Sequence, residues 1–441
     1  MSEGLTAGCA RICISPRPGT PLAGFGARQG VSRGAHDELY VRALVLERDG
    51  VALALAAADL LALQAAFVDR VRAAIERRIG LAGDAILIAA THTHAAPLTF
   101  TTFVDASERP DPAYMQSLAQ AVEDCVALAW ENRGPAAAGV GSGRISGFGV
   151  NRRTSDGTPV DEEIGLITVA GASGRARAVL VNYACHPTVL GPDNLLATAD
   201  FPAFTIERLE RALAPDGFAM FVNGAQGNVG PGHSSEKSAI GIIEGGRTFE
   251  RARELGERLA EASLGALAGI PARGDLELGF ATARVDLPLK RYPSSDATAA
   301  AWRAAEARLA ALETAGVALE DTSGARTARM YAAIHDFYAR EAEALGGKRL
   351  PITLQALRIG DAMIVAVPAE AFVELGLTIK RRAGRPTLVA GIANGYIGYL
   401  PTREAHAAGG YEVVASKCGE GAGDVLVEAA LDLERRLFGC R

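Results

Sequence analysis

Short apolar runs rich in β-branched residues recur along this 441-residue chain, and several of them are followed by amphipathic helical patterns. Examples of the runs are DAILIAA at 84–90, RAVLVNYA at 177–184 and PTLVAGIA at 386–393. Helical spacing of apolar residues lies between several of these runs, for example at 65–80, just before the first run quoted. Alternation of this kind predicts an α/β fold, and adjacent runs near 40–58 and 276–367 predict hairpins. We therefore expect mixed β-sheets flanked by α-helices.

Residues 294–347 interrupt the strand-like pattern with two Ala-rich helical segments joined by a polar connection. The segment separates strand-like 275–290 from strand-like 352–367, so it is predicted to be a helical hairpin inserted into one domain. No Pro/Ser-rich linker or internal repeat divides the chain. We therefore interpret residues 1–441 as a single catalytic domain.

Composition excludes several classes of protein. The formal net charge is −6 and the sequence has no long basic run, so it does not predict the basic surface that nucleic-acid binding requires. We recognise neither a secretory signal nor an uninterrupted apolar stretch for a membrane anchor, so a cytoplasmic location is expected. The six cysteines form no CxxC pair and are expected to be free thiols. A homo-oligomer is not excluded.

Polar side chains stand at the ends of five apolar runs, where an α/β sheet presents its crevice. His92 and His94 end one run and His186 a second, while Asn/Gln, Glu and Tyr residues end the others. Two histidines two positions apart share one face of a strand, so they could chelate a metal or merely end a strand with hydrogen bonds. Taken together, the strand ends favour a His/carboxylate metal site with a position open to water.

Five motifs stand in order along the chain: THTHAAP at 91–97, NYACHPTVLG at 182–191, NGAQGNVGP at 223–231, PAEAFVELG at 368–376 and GYIGYLPTREAHAAGGYE at 395–412. In this order they resemble the motifs of the catalytic domain of the neutral/alkaline, non-lysosomal ceramidases. The resemblance begins near AGFGAR at 23–28 and so covers nearly the whole chain. The resemblance implies the ceramidase catalytic-domain fold and one zinc ion.

In that family the zinc is held by two histidines, a glutamate and a tyrosine. Matched motif by motif, the resemblance implies the metal ligands His92, His186, Glu370 and Tyr399. It also implies catalytic roles for three further residues, in which His94 moves protons while Tyr411 and Arg152 steady the oxyanion or a substrate carboxylate.

Each of these residues has a structural alternative. Glu370 could cap the following helix, and the two tyrosines could be interfacial aromatics. Arg152 could form a surface salt bridge with one of three nearby acids, namely Asp156, Asp161 and Glu162. Asp59 and Asp200 could orient a site histidine or the arginine, or could begin helices.

The chain departs from the family pattern at Gly230, where ceramidases carry a serine. Ser234 and Ser235 follow in sequence and are poor substitutes. Covalent serine catalysis is therefore disfavoured, and attack by metal-bound water is preferred. The Gly-rich stretch could still donate backbone N–H groups to an oxyanion.

The sequence thus predicts a zinc-dependent hydrolase that cleaves an amide or related acyl bond. Secreted ceramidases carry an export signal and a C-terminal domain that are not recognisable here, so a small soluble amide or ester is at least as good a candidate substrate as ceramide. Two alternatives stay open: a metal-dependent isomerase or lyase acting on a small carbonyl compound, and an inactive ligand-binding homologue.

Overall fold

A computed structural model describes residues 4–101, 109–171, 174–213, 215–319, 321–347 and 349–439. Its strands are β1 (Thr6–Cys13), β2 (Gly34–Ala35), β3 (Tyr40–Arg48), β4 (Val51–Ala58), β5 (Ile86–Ala90), β6 (Gly134–Pro135), β7 (Ala137–Arg144), β8 (Val150–Asn151), β9 (Glu163–Ala170), β10 (Ala176–Tyr183), β11 (Leu196–Ala197), β12 (Phe218–Asn223), β13 (Val229–Gly230), β14 (Leu278–Pro288), β15 (Arg349–Ile359), β16 (Ala362–Val367), β17 (Glu370–Ala371), β18 (Thr387–Gly391) and β19 (Tyr399–Leu400).

The helices are α1 (Ala65–Ile79), α2 (Pro112–Glu131), α3 (Phe201–Leu213), α4 (Ser235–Ala239), α5 (Phe249–Leu267), α6 (Ser295–Thr314), α7 (Ser323–Ala344), α8 (Val373–Arg382), α9 (Arg403–Ala408), α10 (Tyr411–Val414) and α11 (Ala422–Phe438). A 3₁₀ turn at Gly83–Ala85 leads into β5. Within the ranges given above, no helix is both long enough and apolar enough to span a membrane.

Three larger sheets form the scaffold, in the strand orders β5-β4-β3-β1-β6, β12-β10-β9-β7 and β14-β15-β16-β18. Each combines antiparallel neighbours with one parallel pair, and the parallel pairs are β4–β5, β10–β12 and β16–β18. The β3–β4 hairpin turns at Asp49 and Gly50, both with positive φ, as a tight two-residue turn requires. The prediction of mixed sheets with hairpins is confirmed.

The three sheets share one core. Side chains from all three meet in a single buried cluster that includes Leu55, Ile88, Leu180, Met220 and Ile364. The outward faces are covered by helices: α3 and α5 pack on the second sheet, and α8 and α11 pack on the third. Parallel strands thus run toward one region, and the loops after β5, β10, β12, β16 and β18 converge there.

The predicted helical hairpin is present as α6 and α7, which lie between β14 and β15 in the chain. The Ser294 side chain accepts a hydrogen bond from the N–H of Ala297, which begins α6. The last part of the hairpin reaches the strand ends, because Met330 and Tyr338 of α7 pack with Tyr399. The sequence pattern did not indicate that contact. Single-domain organisation stays a prediction.

Candidate metal centre

His92 follows β5 and has a left-handed backbone with φ +71°. Its N–H donates to the Leu60 carbonyl, which follows the neighbouring parallel strand β4. Asp200, Ile392 and Asn394 share positive φ with His92, although a β-branched residue such as Ile392 rarely adopts it. Backbone strain of this kind persists where the surrounding packing fixes it, and it is concentrated at functional sites.

Three imidazoles meet at these strand ends. One ring nitrogen each of His92, His94 and His186 lies within 4.8 Å of the others. The Nδ1 atoms contact backbone carbonyls: His92 contacts Leu61 O at 2.8 Å, His94 contacts Gly24 O at 2.9 Å, and His186 contacts Gln226 O at 2.9 Å. A carbonyl can only accept, so each Nδ1 carries a proton, and Nε2 is the ring nitrogen that remains to face the group. Metal-binding histidines are oriented in this way.

Glu370 supplies a carboxylate to the same group. Its Oε2 lies 2.9 Å from His186 Nε2 and 3.3 Å from His92 Nε2, and its Oε1 accepts a hydrogen bond from the Tyr396 hydroxyl at 2.5 Å. Burial would raise the pKa of Glu370, but the adjacent His92 and His186 outweigh burial and hold that pKa well below its usual range. Glu370 is therefore ionised, and its carboxylate faces the two histidines; the alternative of a helix cap is wrong, since α8 begins only at Val373 with Phe372 at its N-cap.

Burial sets the charge of two of the histidines. It lowers the pKa of His186 to about 4, and the Arg152 guanidinium adds to the effect. It also lowers the pKa of His94 well below the usual value, helped by His92 and His186. Both imidazoles are therefore neutral at pH 7, the form that binds metals and accepts protons.

Arg152 reaches Tyr399 from the far side of the group. Its Nη2 donates to the Tyr399 hydroxyl at 3.0 Å and to Gly227 O at 2.9 Å, and its Nε donates to Glu412 Oε1 at 2.8 Å. Arg153 binds the other oxygen of Glu412 at 2.8 Å. Arg152 is thus held by a buried carboxylate, and the alternative of a surface salt bridge with nearby acids is wrong.

The Tyr411 ring lies 6.0 Å from the Tyr399 ring, and both line the cavity described below. Burial raises the pKa of each hydroxyl, so both stay protonated at neutral pH. Tyr411 therefore lies beside the histidine group, where its hydroxyl can act as a donor.

Gly230 leaves open space next to the site. A Cβ built on Gly230 would have Arg152 Nη1, at 3.9 Å, as its nearest neighbour. Ser234 begins the short helix α4, where its side chain accepts from Lys237 N–H, and Ser235 donates to Glu412. Both serine hydroxyls are therefore engaged elsewhere.

Asp59 and Asp200 hold the backbone and do not orient the site side chains. Asp59 accepts from Tyr40 N–H, and Asp200 accepts from Leu190 and Phe201 N–H, the latter at the start of α3. Cys185, beside His186, is buried and burial raises its pKa, so it is not a nucleophile. The five described cysteines are free, and Cys440 lies outside the described residues.

The sequence did not predict that the loop around residues 22–28 contacts His94 and fixes its position. Gly24 O binds the imidazole, the Phe25 ring lies 4.9 Å from it, and Arg28 Nη2 donates to the His94 carbonyl. It also missed Tyr396, the first tyrosine of the GYIGY stretch, which binds Glu370. The two tyrosines of that stretch were the available signal, but only Tyr399 was singled out.

A cavity of about 400 Å³ opens over the group. Its apolar wall includes Phe25, Leu61, Leu98, Phe100 and Phe337. A volume of this size is in the range of pockets for small molecules, and a few polar groups among apolar side chains are typical of them.

The residues fit a bound metal ion. Two buried atoms that face the group, His92 Nε2 and His94 Nε2, have no hydrogen-bond partner among the residues that the structure describes. Buried nitrogens left without partners are costly, and a cation would satisfy them. Two or three imidazoles with one carboxylate form the donor set that zinc prefers at catalytic sites.

The fold and the site together define a mixed α/β protein with a buried candidate metal centre at its strand ends. Among solved structures, the neutral ceramidase from Pseudomonas aeruginosa is similar with a TM-score of 0.75 and 20% identity, over 98% of this chain and 75% of that one. A ceramidase complexed with C2 also has a TM-score of 0.75, with 18% identity over 98% and 76%. No protein-family model matches the chain, and the comparison with curated proteins found no match. The chain therefore has the neutral ceramidase fold, as predicted.

Proposed function

We propose that this protein is a metal-dependent hydrolase that cleaves an amide or related acyl bond in a small molecule. The observation that carries the proposal is the orientation of three buried imidazoles, each held at Nδ1 by a backbone carbonyl while its Nε2 lies in one group with the others. The ceramidase fold of the chain supports hydrolysis over the other classes considered.

His92, His186 and Glu370 are the residues that would hold the ion, with Tyr399 as a fourth ligand by resemblance. Zinc suits this set of nitrogen and oxygen donors. When bound, a zinc ion polarises a carbonyl group and lowers the pKa of water to around 7. The hydrogen bond from Tyr396 to Glu370 keeps the carboxylate turned toward the two histidines.

His94 is suited to take up a proton. It is neutral, its Nδ1 is fixed by Gly24, and its Nε2 has no partner within the described part of the chain. A neutral imidazole next to the attacking water can act as a general base and then return the proton to the leaving group.

Arg152 and Tyr411 would stabilise the negative charge that develops on the carbonyl oxygen. Glu412 and Gly227 fix the Arg152 guanidinium, which places its Nη1 next to the open space at Gly230. Donors that are held in place before the reaction stabilise an oxyanion without reorganisation. Because Gly230 offers no hydroxyl, attack by water and not by serine is the step we propose.

The test combines metal analysis with an isotope experiment. The purified protein should contain one zinc per chain, and chelation should remove both the metal and the hydrolysis of short N-acyl amides and esters. In ¹⁸O-labelled water the acid product should gain one label. Turnover without label would indicate an isomerase or lyase, and turnover that survives complete metal removal would refute the metal role.

His92→Ala should abolish zinc binding and lower kcat/KM by at least about 10³-fold. His335→Ala is the matched control, because it removes an exposed imidazole on α7 that lies outside the cavity. If both variants kept wild-type activity, the histidine group would not be the active site.

A further inference from the structure

The cavity wall has a charge opposite to that of the whole chain. The chain carries a formal net charge of −6. Its cavity is nevertheless lined by four cationic side chains and two carboxylates: Arg28, Arg152, Arg247, Lys417, Glu341 and Glu370. The carboxylate of Glu370 belongs to the candidate metal centre, and a bound cation would make the cavity more positive still. A cavity with this balance favours an anionic ligand.

Two of the four cations are already neutralised. Arg152 pairs with Glu412 at 2.8 Å, and Lys417 pairs with Glu341 at 2.7 Å. Arg28 and Arg247 differ, since neither has a carboxylate within 4.0 Å among the residues the structure describes. Buried charges are normally paired with an opposite charge. The absence of a contacting carboxylate at these two guanidinium groups therefore needs an explanation.

Arg247 is about nine-tenths buried. Its Nη1 donates to the carbonyls of Thr188 and Leu190, and its Nη2 donates to Ser238 Oγ. Its Nε has no partner within the described ranges. Three carboxylates that are not in ion-pair contact with Arg247 oppose the lowering of its pKa by burial: Glu244, Asp193 and Asp200. Among the described residues, Arg247 therefore has no carboxylate in direct contact, and its Nε–H is left without an acceptor.

Arg28 stands next to the candidate metal centre. Its guanidinium donates to four backbone carbonyls, those of Leu22, Ala23, Asn194 and His94. Burial lowers the pKa of Arg28 to about 10, although the charge of Asp193 opposes that shift from longer range, so Arg28 is still charged at pH 7. Carbonyls fix its position but supply no net negative charge.

The Phe25 ring connects the two arginines to the site. Its centroid lies 5.2 Å from Arg28 Cζ, 5.9 Å from Arg247 Cζ and 4.9 Å from the His94 ring. A molecule only a few bonds long can therefore contact His94 with one end and the cationic wall with the other.

We propose that the substrate carries a carboxylate that docks against the wall formed by Arg247 and Arg28, while its acyl bond lies at the histidine group. This inference depends on the proposed function for the position of the acyl bond. A carboxylate fits better than a phosphate, because most guanidinium N–H groups here already bind carbonyls, and a phosphate needs more donors. The substrate class is thus a small acyl amide or ester with a free carboxylate, which differs from a neutral lipid.

The test is equilibrium binding to the zinc-loaded protein, measured by calorimetry with hexanoate, hexanamide and hexyl phosphate. Hexanoate should bind roughly tenfold to a hundredfold more tightly than hexanamide, the range expected for one charged hydrogen-bonding contact. Arg247→Gln should remove that preference. Arg253→Gln, which removes an equal charge six residues away and outside this cavity, should keep it.

Arg247→Lys covers the case in which Arg247→Gln is unfolded, because it preserves the charge and should preserve most of the preference. Undiminished hexanoate binding by a folded Arg247→Gln would show that the metal alone holds the carboxylate, which overturns the inference. Tighter binding of hexyl phosphate would overturn it as well.

The binding assay separates this inference from the proposed function. Selective hexanoate binding without any acyl hydrolysis would contradict only the proposed function. Efficient hydrolysis of neutral acyl amides, with no preference for their carboxylate analogues, would contradict only the carboxylate site.

Discussion

Gly24→Ala should displace His94. Gly24 has φ +105°, and a Cβ at this position would lie 2.5 Å from His94 Cβ and 2.6 Å from its Cα and Cγ. An ordinary contact needs about 3.4 Å or more, so His94 or the loop must shift by roughly 1 Å. The same carbonyl of Gly24 holds His94 Nδ1 at 2.9 Å, so the shift also disturbs that bond.

The expected magnitudes follow from two separate effects. Alanine with a positive φ costs about 1–2 kcal/mol in stability, and overpacking a filled site costs about 1–3 kcal/mol more. A misplacement of about 1 Å at a catalytic group can lower the rate by about 10²-fold. Gly24→Ala should therefore lose about 2–5 kcal/mol of unfolding free energy and about 10²-fold in kcat/KM.

Gly19→Ala is the matched control. Gly19 has φ +92° in the same N-terminal region, but a Cβ there would have nothing within 4 Å. It should lose about 1–2 kcal/mol in stability and keep wild-type activity. Denaturant unfolding, kcat/KM and zinc affinity should be measured for both variants.

Zinc affinity shows which role His94 has. If His94 moves protons, Gly24→Ala lowers kcat while zinc affinity stays close to wild type. If His94 is a third imidazole ligand, zinc affinity falls as well. Equal activity of Gly24→Ala and Gly19→Ala would refute the reasoning, because it would mean that His94 can move without consequence.

Three further predictions concern single contacts. Tyr396→Phe removes the hydroxyl that binds Glu370, and zinc affinity measured by competition with a chelator should fall 10- to 100-fold; an unchanged affinity would contradict that role. Gly230→Ser fits the open space beside Arg152, so thermal unfolding should show a stable protein and stopped-flow kinetics should show no burst of the first product, whereas a burst would reveal serine catalysis. Burial raises the pKa of Asp200 to about 6, so folding takes up a proton between about pH 4 and 6 and stability from this group is lost as pH rises through that window. Relative to Asp200→Asn, the wild type should lose about 3 kcal/mol of unfolding free energy between these values, and a constant difference would count against the shift.

The sequence predicted the scaffold and the approach of the distant site residues. Apolar runs with polar residues at their ends indicated the strands, and parallel strands bring their carboxyl ends to one edge of a sheet. His92, His186 and Glu370 follow β5, β10 and β16, and the Glu370 carboxylate lies within ion-pair distance of both histidines. Their roles as ligands stay predictions.

The partners of these residues could not be predicted in the same way. Gly24 and Arg28 contact His94 across 70 and 66 residues, through a backbone carbonyl and a backbone acceptor that no side-chain pattern marks. Glu412 was missed as the partner of Arg152 because acids closer in sequence were the simpler choice. The contribution of α7 to the cavity depends on how a hairpin folds back over the sheets, which periodicity does not determine.

The carbonyls that fix the three imidazoles belong to the main chain, at Leu61, Gly24 and Gln226. At Leu61 and Gln226 a different side chain leaves the carbonyl oxygen in place as long as the loop keeps its path, whereas Gly24 has no room for a Cβ. Side chains elsewhere in the cavity wall can therefore change during evolution, because the backbone path determines which ring nitrogen of each histidine carries the proton. If the histidine group binds a cation as proposed, substitutions in the wall can change which ligand the cavity accepts without weakening the binding of that cation.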